Sequence, residues 1–573
     1  QEAAARVQFE ACRRALQEHL GVEPAAATYA ELERNLRPRR TAVAPETSAA
    51  ELVPLYGRET LLATLQELLG DSTVRLLSVL GLPGVGRSRL LREALRRLPD
   101  DPMERTVSVS LRDARGASAA WARVADALGA PAELEPMDPE RPLDDMSRGR
   151  VERAIGTQAM RLVLEDVEPD VDLAGDIALL LAACNELAIV LVAFSELGFL
   201  GERVVIVPAL ETPLATSSAE VSSTPAAELR KAAPIEMMVD VATRRDAAFT
   251  LHDEDLPAFA ALASELGGHP VALILAGWRI SYEGAAAVRA SWRDVDRGMA
   301  RGGDAPHDLE PRHRHLETAF APILRALPEA QRRIVDALAL FHAATPYAAV
   351  AEVARTSESV VEQVVPHLKR KRLVTVHTTH GIDVVRIAPV LSAVLVAAME
   401  GADHADAYRD AHAAWCLRYS TRLEAALLGQ DQAHAITAFG EAYADVEAAA
   451  AYLEAQKPVR AIQLRTALWR FAVRAGDAEP AYARLVRLLE GHGNDLDPLP
   501  RGDAYNAAGA LAFSSNRRSD AARWYERALA VRRESNDPQR IAGSLLNVAP
   551  CTPAQRARRR DRVSRRSARR GGS

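Results

Sequence analysis

Residues 76–96, LLSVLGLPGVGRSRLLREALR, limit the fold more than any other stretch of the chain. Leu76, Leu77, Val79 and Leu80 are apolar at neighbouring positions, so a strand there is buried on both faces. Gly81, Gly84 and Gly86 interrupt it, and RSRLLREALRRL then takes up helical spacing. A strand of that kind belongs in a parallel sheet with helices on both faces. Four more short apolar runs, RTVSVSL, RLVLED, AIVLVAF and RVVIVPAL, alternate with helical stretches across residues 54–212.

The glycine loop has the spacing G-x-x-x-x-G-K-[ST] with one departure. Gly81, Gly86 and Ser88 stand where that pattern needs them, and Arg87 replaces the lysine. Glycines let main-chain amides curl around a phosphate, and the following helix turns its positive end toward the same anion. Gly84, Val85 and Arg89 complete the candidate cradle, and Ser88 can offer a hydroxyl to Mg²⁺. Arg87 keeps the charge but presents a wide planar fork instead of a compact ammonium. Nucleotide binding is expected to weaken and hydrolysis to suffer more. With only four lysines in the chain, general replacement of lysine by arginine explains part of this. A second element, MRLVLEDVE, places Glu165 and Asp166 after an apolar strand. One carboxylate there would hold Mg²⁺ and the other would position water; the plainer alternative is an ordinary polar strand end.

At 573 residues the chain exceeds a single core. Residues 213–234 read as a linker, and helices dominate after it. RLVTVHTTHGIDVVRIA, 372–388, is a hairpin set among helices, the composition of a winged helix. In AYNAAGALAFSSNRRSDAARWYERALAVRRESND, Ala508, Gly509, Ala521, Tyr525 and Ala528 match tetratricopeptide (TPR) spacing. A second copy begins at 541–549. Cys12, Cys184, Cys416 and Cys551 are scattered, with no signal peptide at the start and no apolar run of 18 residues, so a cytoplasmic protein without a membrane span is expected. The net charge of −6 argues against a chain that coats nucleic acid, although the last stretch holds nine arginines and one aspartate. That stretch is either a tail for phosphate or acidic partners, or a disordered end or an out-of-frame translation of GC-rich DNA.

These residues resemble the STAND class of P-loop NTPases, and in particular bacterial regulators that join an NTPase module, a winged helix and TPR repeats. LYGRETLLATLQELL, 55–69, resembles the opening h-h-G-R-E motif, which puts Tyr56, Gly57 and Arg58 near the adenine side. GLPGVGRS resembles Walker A and LVLED Walker B. LASELGGHPVALILAG resembles the G-x-P helix, with Gly268 and Pro270 in the matching places and Pro270 implied to pack on the base. FEACRRALQEHLGVEP resembles the tail of a bacterial transcriptional activator domain of the SARP type, whose DNA-binding part would lie upstream of Gln1. Three departures gather at the site: Arg87, Glu165 where the family has aspartate, and AFSE, 193–196, where it has a sensing arginine.

The expected architecture is therefore multidomain α/β plus α. An activator-domain tail (1–40) and a linker (41–53) precede a P-loop core (54–212). After the second linker (213–234) come a helical domain (235–310), a winged helix (311–400), TPR-like repeats (401–550) and an arginine-rich tail (551–573). The resemblance implies a switch that binds ATP or ADP with Mg²⁺ and hydrolyses slowly or not at all. Partners would bind the repeats, copies of the chain would associate in the ATP state, and DNA would be reached only through the upstream domain. The alternative from another class is a nucleotide-independent scaffold. HLKRKRL, 367–373, is read as a solvated basic helix end, His377 and His380 as poor metal ligands, and His313 and His315 as surface residues.

Overall fold

The apolar strand of the glycine loop lies where its composition requires, in the middle of a sheet. The computed structural model describes residues 54–98, 105–130, 143–169, 171–213, 225–292, 305–307, 309–379, 381–402, 404–534 and 538–548. The expected activator tail, the 41–53 linker, residues 214–224 of the second linker and the arginine-rich tail lie outside the described residues, as do Cys12, His380 and Cys551. Five strands, β1 (Leu76–Leu80), β2 (Arg105–Ser110), β3 (Met160–Glu165), β4 (Leu187–Ala193) and β5 (Glu202–Ile206), form a sheet in the order β2-β3-β4-β1-β5. Every pairing is parallel.

Alternation along the strands sends neighbouring residues to opposite faces. Leu77, Val79, Val163, Val190 and Val192 meet α1 (Glu59–Gly70) and α2 (Arg87–Arg96) through Leu62, Leu65, Leu90 and Leu91. Leu76, Leu80, Leu162, Leu164, Ile189 and Leu191 meet α3 (Ala117–Ala127), α4 (Leu143–Ile155) and α5 (Ala174–Ala183) through Trp121, Val124, Val151, Ile155, Ile177 and Leu180. Each such leucine or valine contributes roughly 1.5–3 kcal/mol by leaving water. Two arginines fasten helix ends to the sheet: buried Arg161 donates to the Leu69 carbonyl at 2.7 Å, and Arg75 donates to the Leu181 carbonyl at 2.7 Å.

Helices α6 (Ala226–Arg230), α7 (Ala233–Arg245), α8 (Leu256–Glu265), α9 (Pro270–Glu283), α10 (Ala285–Ser291) and α11 (Leu316–Arg325) follow. Helices α7 and α9 cross closely at Gly277, where a Cβ would stand 2.6 Å from the Met238 carbonyl oxygen. Among the described residues, those up to Trp292 and those of 305–326 form one unit, and those from Leu327 onward form another. Residues 311–326, read from the sequence as the start of the winged helix, thus group with the glycine-loop unit.

The second unit begins with α12 (Glu329–Ala339), β6 (Thr345–Pro346), α13 (Tyr347–Val353), α14 (Glu358–Arg370), β7 (Val374–Thr379) and β8 (Ile382–Ile387). Its strands form an antiparallel sheet in the order β6-β8-β7. His377 lies within β7, opposite Val384, and not in the turn. Eight α-helices follow α15 (Pro389–Met399): α16 (Ala405–Ala426), α17 (Gln432–Gln456), α18 (Pro458–Ala467), α19 (Trp469–Ala475), α20 (Ala478–His492), α21 (Pro498–Ser514), α22 (Arg518–Glu534) and α23 (Pro538–Val548). Helices α21 and α22 meet where the Tyr525 ring lies against Gly509, leaving 2.6 Å for a Cβ that glycine lacks. Within this unit the buried Asp445 carboxylate of α17 accepts the main-chain amides of His342 and Ala343.

Candidate functional site

Four of the five parallel strands deliver functional groups at their C-terminal ends, the edge where open parallel sheets bind ligands. β1 runs into the glycine loop. Gly84 and Gly86 adopt φ of +76° and +97°, a region other residues enter only with strain. A Cβ at Gly84 would also stand 2.8 Å from Val271. Gly86 has no side chain with which to cap α2, so the first-turn amides of that helix are natural donors to an anion.

Position 87 behaves differently from a phosphate-binding lysine. The Arg87 guanidinium donates to the main-chain carbonyl of Ala193, the last residue of β4. Burial pulls its pKa down to about 10, with Asp166 opposing. The arginine therefore bridges the loop to the strand end where the resembled family has its sensing arginine. The Ser88 side chain lies beside the carboxyl of Glu165, the last residue of β3. Burial raises the Glu165 pKa, and Ser88 and Arg92 offset part of that rise.

Asp166 follows in the left-handed region, at φ 56°. Its carboxylate accepts from Ser110 Oγ at 3.0 Å, Arg112 Nη2 at 3.0 Å and Arg312 Nη2 at 2.6 Å. Burial alone would raise this carboxyl, but Arg312 and Arg112 together pull it below its ordinary value. Both arginines also pair with Glu310. Asp166 is thus the centre of an ion-pair cluster.

The side that the resemblance assigns to a base is assembled from Tyr56, Arg58 and the G-x-P helix. Burial, followed by the nearby Asp240 carboxylate, raises the Tyr56 pKa to about 12. Arg58 is buried and donates to the Pro208 carbonyl at 2.6 Å, so it fastens the chain after β5 rather than reaching outward. Gly268, at φ +63°, lets Leu210 donate to its carbonyl at 2.9 Å; a Cβ there would overlap the Leu210 carbonyl oxygen at 2.0 Å. His269 Nε2 donates to the Pro83 carbonyl at 2.8 Å while Nδ1 accepts from Ala272, a tautomer assigned from its partners. Burial lowers the His269 pKa to about 4, so the ring is neutral near pH 7.

Tyr56, Arg58, the glycine loop, Ser88, Glu165, the Asp166 cluster and Pro270 line one cavity of about 920 Å³ within the first unit, with Gly268 and His269 behind its wall. The structure brings to it Tyr56, Arg58, Gly84, Val85, Gly86, Arg87, Ser88, Arg89, Glu165, Asp166 and Pro270 from the sequence-derived set. Gly57 and Gly81 support its walls: Gly81 lies so close to the Val207 carbonyl oxygen that a Cβ would come within 2.7 Å. The sequence reading missed Arg112, His269, Glu310 and Arg312. His313 is a correction: it lines the cavity with its side chain 18% exposed, and burial followed by Arg312 depresses its pKa to about 3. The dense run PRHRHLE was visible, but nothing in a single sequence brings residue 312 to residue 166. His315 is half-buried as well, with a buried Nδ1.

The cavity suits a polyanion. Eight arginines and four carboxylates line it, and its other side carries Leu55, Leu210, Met237, Val271 and Ile274. For Mg²⁺, the adjacent Ser88 hydroxyl and Glu165 carboxyl are suitable hard oxygen donors. Asp166 does not fit that role while two guanidiniums occupy its oxygens. Among the described residues no group of three or more His, Cys, Asp or Glu side chains could hold a metal alone, so phosphate and water oxygens would have to complete the coordination.

A buried strand, a glycine loop and a helix inside a five-stranded parallel sheet are consistent with a P-loop α/β core. No family model matches the chain, and no curated protein matches it. Several solved structures are similar at low identity. A Signal Transduction ATPase with Numerous Domains (STAND) protein with a tetratricopeptide repeat sensor, from Pyrococcus horikoshii, aligns over 87% of this chain and 74% of its own, with 13% identity and a TM-score of 0.24. Cdc6p from Pyrobaculum aerophilum aligns over 61% and 95%, with 16% identity and a TM-score of 0.26. Drosophila ORC bound to DNA aligns over 60% and 88%, with 13% identity and a TM-score of 0.25.

Proposed function

We propose that this chain is a nucleotide-binding switch of the STAND type, taking ATP or ADP with Mg²⁺ and hydrolysing slowly or not at all. The observation that carries this reading is the cavity at the strand ends, lined by the glycine loop, by arginines and by apolar residues of α9. Main-chain amides of the loop and the start of α2 would hold the phosphates. Pro270, Val271 and Ile274 would pack on the base. Ser88 and Glu165 would hold Mg²⁺, which supplies charge neutralisation between phosphates when bound. Arg87 is committed to the Ala193 carbonyl and Asp166 to two arginines. Neither is placed to activate water, which favours binding over turnover.

The order helix–strand–helix–helix–strand–strand from α12 to β8 supports a winged-helix reading, and the Gly509–Tyr525 packing of α21 on α22 supports TPR-like repeats. In this reading the repeats bind protein partners and the ATP state self-associates. Contact with DNA is left to an upstream activator domain, in bacterial transcription control. The exposed N-terminal half of α14 carries Glu358 and Glu362, which would repel a phosphate backbone. The competing reading, a nucleotide-independent scaffold, draws on the same Arg87–Ala193 bond. The test is thermal melting of the full chain with Mg-ADP or Mg-ATP. At 100 times Kd, binding should stabilise by about 2.7 kcal/mol. No shift with either nucleotide at millimolar concentration favours the scaffold.

A further inference from the structure

We propose that Arg112 and Arg312 form a clamp for the terminal phosphate of a bound nucleoside triphosphate, with Asp166 and Glu310 acting as internal stand-ins for that phosphate. The inference rests on reading the cavity as a nucleotide site and deepens it: it assigns the residues that tell triphosphate from diphosphate.

Three observations converge. First, the guanidinium at position 87 is engaged by the main chain, because it donates to the carbonyl of Ala193. Second, two other guanidiniums reach the same cavity from separate parts of the chain, Arg112 just after β2 and Arg312 ahead of α11. Both bind the Asp166 carboxylate, at 3.0 and 2.6 Å, and both bind Glu310. Two carboxylates around two guanidiniums reproduce the acceptor oxygens a phosphate would bring. Third, Arg112 Nε is buried and has no hydrogen-bond partner among the described residues. A buried donor left unmade is costly, and a phosphate oxygen would satisfy it.

The cluster is close to neutral as it stands, two cations against two anions. A terminal phosphate gains the arginines only if the carboxylates give way. A diphosphate held by the loop amides need not disturb them. Exchange of partners would also free the 310–313 turn from Asp166, since Glu310 and Arg312 both belong to it. The terminal phosphate would then be reported to the segment that leads into α11.

The test is calorimetric titration of the full chain with Mg-ADP and with a non-hydrolysable Mg-ATP analogue. Arg312→Ala and Arg112→Ala should each weaken the triphosphate analogue by about tenfold or more while changing ADP by less than about threefold. Glu310→Gln should tighten the analogue and leave ADP unchanged. It removes a rim carboxylate and keeps the arginines, so it still reads out if an arginine variant fails to fold. Equal losses for both nucleotides, or no effect of Glu310→Gln on the ratio, would overturn the clamp while leaving nucleotide binding intact. If the wild-type chain binds neither nucleotide, the clamp and the site reading fall together.

Discussion

Arg87 shows how one side chain can keep its charge and lose its role. A lysine at this position would have a shorter reach and no fork with which to span to the strand end. Arginine reaches across to the end of β4 and satisfies the Ala193 carbonyl with a charged hydrogen bond. Arg87→Lys is therefore expected to tighten Mg-ADP and Mg-ATP by roughly tenfold while costing about 1.5–3 kcal/mol of stability. Parallel calorimetry and thermal melting check both signs. Tighter binding without any stability loss would mean that the Ala193 contact is incidental. Gly268 makes a second expectation at this scale. Its positive φ costs a side chain roughly 1–2 kcal/mol, and a Cβ would overlap the Leu210 carbonyl oxygen. Gly268→Ala should lower Tm by several degrees, and an unchanged Tm would refute the close approach.

At the scale of elements, the G-x-P helix α9 is tied to the glycine loop by one neutral histidine, His269, bonded to the Pro83 carbonyl. Its folded pKa of about 4 lies below the unfolded value of 6.5, so the unfolded chain binds the extra proton between those values. The stability from burying the neutral ring is fully present above pH 6.5. It is lost as pH falls toward 4, at up to about 1.4 kcal/mol per pH unit. Tm measured from pH 7 to pH 4 should fall more gently in His269→Gln than in wild type, and identical slopes would contradict the buried neutral ring. The sheet and its loop were legible because continuous apolar strands and glycine spacing are local signals. The helix pair around Gly509 was legible from its small residues, but the packing of Tyr525 on that glycine was not. The clasp of Arg112, Asp166, Glu310 and Arg312 was not, because ion pairs spanning some two hundred positions leave no local period. His313 was misread because a cluster of His and Arg looks the same whether it faces solvent or a cavity.

Across the whole molecule, charge is distributed against the average. The chain carries −6 overall, yet the cavity lining holds twice as many arginines as carboxylates. Among the described residues no helix is long and apolar enough to cross a membrane, and Cys184 and Cys416 are both buried and unpaired. A local positive site in an acidic protein draws anions by short-range contact more than by long-range steering. Affinity for Mg-ADP should therefore fall only modestly as salt rises from 50 to 500 mM, whereas a steep loss would point to a loosely held surface ligand. The account depends most on the main-chain amides around Gly84–Ser88. Amide hydrogen exchange of the full chain, with and without Mg-ADP, tests them directly. We expect peptides covering 82–92 to slow markedly on nucleotide addition, with those covering α21 and α22 unchanged. Unaltered exchange across 82–92 at saturating nucleotide would contradict the account.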